Sequence, residues 1–306
     1  MTPAIRVALP LSLAAALLIT LAACANRSPE SRDEAGAGRK SGNAITIKGS
    51  DTMVVLGQRW AEVYMKSNPS VIIQVTGGGS GTGIAALLNG TTDIAESSRP
   101  MKEPERAEFK QKTGKDVVEV KTALDGLGVY VHESNPLKEI PIPQLRDIYT
   151  GKITDWKDVG GTPGKIILYS RENNSGTYEY FKEHVLEKAD FAPNAQTLSG
   201  TAAVINAVSK DKQGIGYGGI AYASGVKVLA IKKDASSPAI SPDLAHVEDR
   251  TYPISRYLYW YLPGEPAGET KKLVDWVTSD AGQAVVKDVG YFPVKQKGAT
   301  AAGAAK

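Results

Sequence analysis

Cysteine is almost missing from this chain: among 306 residues only Cys24 carries a thiol, so a disulfide within the chain is impossible. Histidine is scarce as well. His132, His184 and His246 show neither metal-ligand spacing nor a serine partner, and each reads as a surface or supporting residue. Neither a metal nor a cofactor is implied. Charge of one sign is not in excess, since 36 Lys and Arg face 33 Asp and Glu for a net +3. The basic residues are scattered rather than blocked, which argues against a nucleic-acid partner. Pairs such as Glu248 with Asp249 read as solvated surface. No repeat of fixed period is visible. At 42% hydrophobic and 23% charged, the chain as a whole is neither disordered nor a multi-span membrane protein.

One long apolar run is present, at the N-terminus. Arg6 precedes Val7 to Leu21, and the segment ends Leu21-Ala22-Ala23-Cys24. Interrupted by Pro10 and too short to be a comfortable membrane span, residues 1–23 read as a secretory signal with small residues before the cut. The Leu-Ala-Ala-Cys sequence resembles a bacterial lipobox. Cys24 is then expected to become the acylated first residue, with several chains holding where one would be marginal. The alternative is an ordinary signal peptide that leaves a free thiol. Residues 24–43 mix Ser, Gly, Pro and charge with no apolar period and are expected to be a flexible tether. Residues 295–306 read as a flexible tail.

The length suits two domains. From Ala44 onward short β-like runs alternate with amphipathic helical ones, the pattern of an α/β fold with a largely parallel sheet. Strands are expected at 44–48, 71–76, 93–95, 117–121, 127–132, 166–170, 215–218 and 252–262. Helices are expected at 53–66, 84–88, 104–113, 178–188, 202–209 and 269–287.

Three strand-to-helix junctions share one chemistry: Gly49-Ser50-Asp51-Thr52, Gly79-Ser80-Gly81-Thr82-Gly83 and Ser170-Arg171-Glu172-Asn173-Asn174-Ser175-Gly176-Thr177. Each sets glycine and small hydroxyls where the first helical N–H groups lack an internal partner, a place that attracts anions. Ser, Thr and Asp could also merely cap their own helices. A fourth segment, Ser97-Ser98-Arg99-Pro100, adds further hydroxyls.

The glycine-rich second junction is not a Walker loop, because Ile84 and not lysine follows its last glycine. Gly81-Thr82-Gly83-Ile84-Ala85-Ala86 fits the loose dinucleotide pattern, but no acidic residue closes a following strand about 20 residues on. Ser80 is not in G-x-S-x-G, since position 82 is threonine. What remains is a site for a small oxyanion without cleavage chemistry: Ser50, Asp51, Thr52, Ser80, Thr82, Ser98, Ser175, Gly176 and Thr177, with Arg171 as the one cation. The planar fork of Arg171 can give two hydrogen bonds to one tetrahedral anion.

The segments GSDTM, GGGSGTGI, DIAESSRPM, IYTGKITDW and above all SRENNSGTYEYF resemble the substrate-binding lipoprotein of the bacterial high-affinity phosphate ABC importer. The resemblance runs from about Ala44 to Val294 and includes Tyr252-Pro253-Ile254-Ser255-Arg256, where the family returns to its first lobe. It implies a two-lobed periplasmic-binding-protein fold of the two-crossover type, with mixed, mainly parallel sheets flanked by helices. Lobe I would be 44–124 plus 255–294 and lobe II 125–254, hinged near Leu127 to Val131 and Tyr252 to Tyr259. By motif position, ligand contacts fall on Thr52 with its adjoining backbone, Ser80, Arg171, Ser175, Gly176 and Thr177. Where better-known members carry an aspartate that accepts the proton of hydrogen phosphate, this sequence has Ser98, and Asp51 is the nearest candidate to replace it. Asp51 could instead cap the helix beginning near Met53.

The expected protein is a non-enzymatic monomer outside the cytoplasm, periplasmic or at the cell surface. It would bind inorganic phosphate, be anchored by lipid, and meet ABC permease subunits. Binding of tungstate, molybdate or sulfate, or a serine hydrolase or phosphatase acting through Ser80 or Ser175, are the rival readings.

Overall fold

The computed structural model describes residues 44–294. The leader, Cys24, the tether and the tail lie outside the described residues. The chain opens with β1 (Ala44–Gly49), α1 (Val54–Ser67), β2 (Ile72–Thr76), α2 (Ser80–Leu88), β3 (Ile94–Ser97) and α3 (Glu103–Thr113). A long strand, β4 (Val118–Val131), leads into β5 (Glu139–Pro141), α4 (Ile142–Tyr149), β6 (Ile167–Arg171), α5 (Gly176–His184) and β7 (Gln196–Leu198). Then come α6 (Thr201–Lys210), β8 (Gly214–Gly219), β9 (Lys227–Val228), β10 (Ala230–Lys232) and α7 (Leu244–Glu248). The return strand β11 (Ser255–Leu262) is followed by α8 (Gly268–Thr278) and α9 (Asp280–Val289).

The main sheet runs β2-β1-β3-β11-β4-β8-β6-β7, with β9 on β4 and a separate β5–β10 pair. Its two ends are parallel: β1 pairs with β2 and β3, and β6 with β7 and β8. Its middle is antiparallel, where β11 lies between β3 and β4, and β4 continues to β8. The alternating pattern predicts the α/β class, and the mixed, helix-flanked sheet is the one the resemblance implies.

Two large cores both draw side chains from the middle strands. The first gathers Ile45, Leu56, Trp60, Ile94, Trp260, Leu273 and Val286, from both ends of the chain. The second gathers Val129, Ile148, Trp156, Phe181, Tyr217 and Ile254, from the stretch between. Spacing explains why α1 faces the first core: Leu56, Trp60 and Tyr64 recur every four residues, with Ala61 on the same face, and all are buried. Trp60 meets Trp260 edge to face at 5.3 Å and donates from Nε1 to the Gly282 carbonyl at 2.8 Å.

Several expected boundaries shift. Residues 117–121 and 127–132, expected as separate strands, are one strand of 14 residues. The strand continues through the polar interval by way of an irregularity: the register shifts at Thr122, whose hydroxyl donates to the Leu258 carbonyl at 3.1 Å, and Asp125 lies opposite Arg256. The helix expected over 269–287 is two, broken at Ser279, where the backbone extends to ψ 169°. The break lets Gly282 pack on the Trp276 and Val277 backbone, where a Cβ would overlap. α5 stops at His184, short of Lys188, because Glu187 and Lys188 take positive φ. Helix α2 starts at Ser80 rather than Ile84. Tyr252, expected in the return strand, precedes it and donates its hydroxyl to the Leu127 carbonyl at 2.7 Å.

Glu96 of β3 is fully buried beneath α1, with Oε1 accepting from Trp260 Nε1 at 3.1 Å. Burial pushes its carboxyl up to about 8, and the Trp260 hydrogen bond lowers it only in part. Unfolding returns it to about 4.3, the ordinary glutamate value. Between those values the native state holds a proton that the unfolded chain releases, so stability falls as pH rises through the window. Glu96→Gln should remove that slope. In thermal unfolding, its melting temperature relative to wild type should climb by roughly 8 °C between about pH 5 and about pH 8.5. Parallel pH profiles would show that Glu96 ionises normally.

Candidate functional site: a cleft of hydroxyls at converging helix N-termini

The loop after β1 is held by its backbone. At Gly49 a side chain would overlap the Glu96 carbonyl, and the next amide, Ser50 N–H, donates to that carbonyl at 2.9 Å. The Ser50 carbonyl accepts from Met53 N–H at 2.9 Å. Tyr222 donates its hydroxyl to the Asp51 carbonyl at 2.8 Å, and Tyr291 to that of Thr52 at 2.7 Å. With its carbonyls engaged, the loop leaves the buried Thr52 hydroxyl to meet Thr177 Oγ1 at 2.8 Å, from the other half of the chain.

The loop after β2 reaches the same place from another direction. Gly79 takes φ +90°, which L side chains rarely adopt, and a Cβ there would lie 2.7 Å from the Asn174 carbonyl oxygen. That approach allows Gly81 N–H to donate to Asn174 O at 2.9 Å. Asn174 Nδ2 donates in turn to Gly78 O at 3.0 Å and to Thr82 Oγ1 at 3.1 Å. Thr82 thus joins the two halves at the rim, while fully buried Ser80 faces inward. Ser80 Oγ accepts from Ser98 N–H at 3.1 Å and lies 3.4 Å from Ser98 Oγ.

On the far wall, Ser175 caps α5 by accepting from Tyr178 N–H. Gly176 is required by contact: a Cβ would overlap Ser80 Oγ and sit 2.8 Å from Ser98 Oγ. Thr177 is fully buried, and its Oγ1 lies 3.4 Å from Ser98 Oγ. The N-termini of α1, α2 and α5 therefore converge on one cluster of hydroxyls. The positive ends of their dipoles suit an oxyanion.

Arg171 is 1% exposed, and its fork is shared. Nη2 donates to Asp51 Oδ2 at 2.7 Å, Nη1 to Thr201 Oγ1 at 3.0 Å, and Nε to the Leu198 carbonyl at 3.3 Å. Asp51 does not cap α1: that helix has Met53 at its N-cap and no side-chain cap bond. Its carboxylate instead spans the two halves, accepting from Arg171 and, at 2.8 Å, from Gly78 N–H. A second guanidinium, besides that of Arg171, reaches the hydroxyl cluster. Arg256 of β11 donates from Nη2 to Thr177 Oγ1 at 3.0 Å and from Nη1 to the Ser98 carbonyl at 3.1 Å. It is paired with fully buried Asp125 of β4, Nη2 to Oδ2 at 2.8 Å. Arg99, by contrast, turns away to Glu105 at 2.6 Å.

Sequence reasoning missed Arg256, Asp125 and the bridging amide of Asn174. A signal existed for the first two: opposite charges inside apolar strand runs are rarely buried unless paired. The histidines lie elsewhere in bonding terms. His132 Nδ1 meets Ser134 Oγ, His246 Nδ1 meets Asp243, and His184 stacks on Tyr180. No cluster of His, Cys, Asp and Glu able to hold a metal occurs among the described residues.

A mixed α/β sheet with two cores and a buried, donor-rich cluster where three helix N-termini converge is the make-up of an anion-binding protein. The PBP superfamily domain matches residues 31–281. The phosphate-binding protein PstS of Pseudomonas aeruginosa is 36% identical over 274 residues, covering 84% of each chain. PstS of Bacillus subtilis is 32% identical and covers 92% of each. A solved phosphate ABC transporter substrate-binding protein from Clostridium perfringens, with bound phosphate, superimposes with a TM-score of 0.74 at 28% identity. It covers 83% of this chain and 100% of its own. An ABC-type phosphate transport receptor from Vibrio cholerae gives 0.66 at 30% identity, covering 81% and 99%. The chain belongs to the PBP superfamily and, within it, to the PstS family of phosphate-binding proteins.

The α2 N-terminus depends on Gly83, where a Cβ would overlap the Lys48 carbonyl and lie 2.6 Å from Gly49 Cα. These are backbone atoms of β1 that cannot swing aside. Gly83→Ala should cost about 1–3 kcal/mol through overpacking, read as a melting temperature lowered by several degrees. An unchanged melting temperature would mean that α2 can slide without cost.

Proposed function

We propose that this chain captures inorganic phosphate in the cleft between its two halves and presents it to an ABC importer outside the cytoplasm. It carries out no reaction. One observation carries the reading: buried hydroxyls from both halves (Thr52, Ser80, Ser98, Thr177) come within hydrogen-bonding reach at the N-termini of three helices, with Arg256 on Thr177 and Arg171 on Asp51, the neighbour of Thr52. The family to which the chain belongs supports phosphate as the anion.

In this reading Ser50, Asp51, Thr52, Ser80, Thr82 and Ser98 serve from lobe I, residues 44–124 with 255–294. Arg171, Ser175, Gly176 and Thr177 serve from lobe II, residues 125–254. Hinge bending near Leu127 to Val131 and Tyr252 to Tyr259 closes the lobes on the anion, and ligand contacts on both sides favour the closed state. The protein acts as a monomer.

Hydroxyls and helix N-termini donate to phosphate and sulfate alike, so telling them apart needs an acceptor for the phosphate proton. Asp51 is our candidate. Arg171 and Gly78 N–H occupy two of about four lone-pair sites on its carboxylate. A carboxylate facing sulfate has no proton between the charges, and that repulsion costs several kcal/mol. Calorimetric titration of leaderless protein should show phosphate bound and sulfate rejected. In Asp51→Asn the phosphate-to-sulfate affinity ratio should collapse by about tenfold or more. A preserved ratio would leave Asp51 as a brace for Arg171 alone.

We further propose that Cys24 anchors the mature protein to a bacterial membrane as a lipoprotein. Support is the Leu21-Ala22-Ala23-Cys24 sequence. Replacing Cys24 by Ala should release the protein into the soluble extracytoplasmic fraction or stall its processing; full partition into detergent would refute the anchor.

A further inference from the structure

Arg256 and Asp125 stand directly opposite each other on β11 and β4, the strands that join the two halves. Their charges are almost wholly buried, at 2% and 0% side-chain exposure. Asp125 is held from the other side by Ile220 N–H, which donates to Oδ1 at 3.0 Å. With Nε at 2.9 Å and Nη2 at 2.8 Å from Asp125 Oδ2, the guanidinium plane is fixed by the strand pair itself. From that position it reaches in two directions. Nη1 meets the carbonyl of Ser98, beside Ser80 on the first half, and Nη2 meets the hydroxyl of Thr177 on the second. Its outer side lines a cavity of about 450 Å³ between Arg99–Lys102 and Glu179–His184.

We propose that Arg256 is a closure latch and positioning residue for the anion site. The pairing with Asp125 belongs to the hinge strands and survives opening. The bonds to Ser98 O and Thr177 Oγ1 reach opposite halves, so the lobes cannot part without breaking one of them. Arg256 also acts on ligand geometry through Thr177: a hydroxyl that already accepts from a guanidinium is biased to donate with its own hydrogen, toward Thr52 or toward an oxyanion. Arginine is needed, because a planar fork can serve Asp125, Ser98 and Thr177 at once, whereas an ammonium is a compact point charge.

This inference rests on phosphate occupying the cleft between the halves. The test is Arg256→Lys, which keeps a cation beside Asp125 and gives up the fork. Dissociation is followed by chasing labelled inorganic phosphate with excess unlabelled phosphate, and affinity by calorimetry. Losing charge-assisted bonds made in the closed state should speed release roughly tenfold to a hundredfold. The association rate should stay within about threefold, since closure follows encounter, and the melting temperature of phosphate-free protein should hold within a few degrees. A purely structural role would lower that melting temperature and leave release alone. Arg256→Gln with Asp125→Asn, a neutral hydrogen-bonded pair, should show the same faster release and guards against misfolding of the lysine variant. Unchanged release in both variants, with wild type binding phosphate, overturns the latch. A wild type that binds no phosphate overturns the reading of the cleft, and the latch with it.

Discussion

The antiparallel pairing of β4 with β11 is the constraint on which the rest of the structure depends. Both cores draw on these middle strands, Leu258 and Trp260 for the first and Leu127 and Val129 for the second. The middle strands run on from one to the other, so that β4 pairs with β11 over its first part and with β8 and β9 over its last. A register shift between Leu258 and Tyr259 is the one irregularity along the β4–β11 ladder. Because the strands are continuous, the loops at the strand ends of both halves face each other. Converging helix N-termini follow from that geometry.

The charge chemistry of the cleft follows from the same arrangement. Both guanidinium groups meet carboxylates, Arg171 with Asp51 and Arg256 with Asp125. The hydroxyls of Thr52, Ser80, Ser98 and Thr177 are neutral, and the two cations nearby are already balanced. Breaking either pair would leave an uncompensated buried charge, which costs more than the pair itself contributes. Arg171 links the halves through side chains alone, whereas Arg256 links them from the joining strands.

Glycine sets the close approaches. Gly176 lets α5 start against Ser80 and Ser98, and Gly79 lets the β2 loop lie on the Asn174 carbonyl. Hydroxyls within hydrogen-bonding distance across two halves require backbones this near, and any Cβ would hold them apart.

The sequence by itself determined the α/β class, the loops that carry the site and the types of donor they bring, because periodicity, helix-start chemistry and glycine placement are local properties. Ser80, Ser98, Thr52 and Thr177 were legible as candidates for that reason, and they do meet. What local pattern could not carry was pairing at a distance. Asp51 looks like a cap beside its own helix, yet its carboxylate crosses 120 positions to Arg171. Arg256 looks like one basic residue in a strand, yet β-sheet register sets it opposite Asp125, 131 positions away, and beside Thr177. Thr122 and Asp125 read as a break between strands because polar residues interrupt an apolar run; partners supplied by β11 keep the strand whole. Tertiary structure decided these points, since the free energy of a buried charge or hydroxyl depends on which group faces it, and that group is chosen by sheet order and not by sequence neighbours.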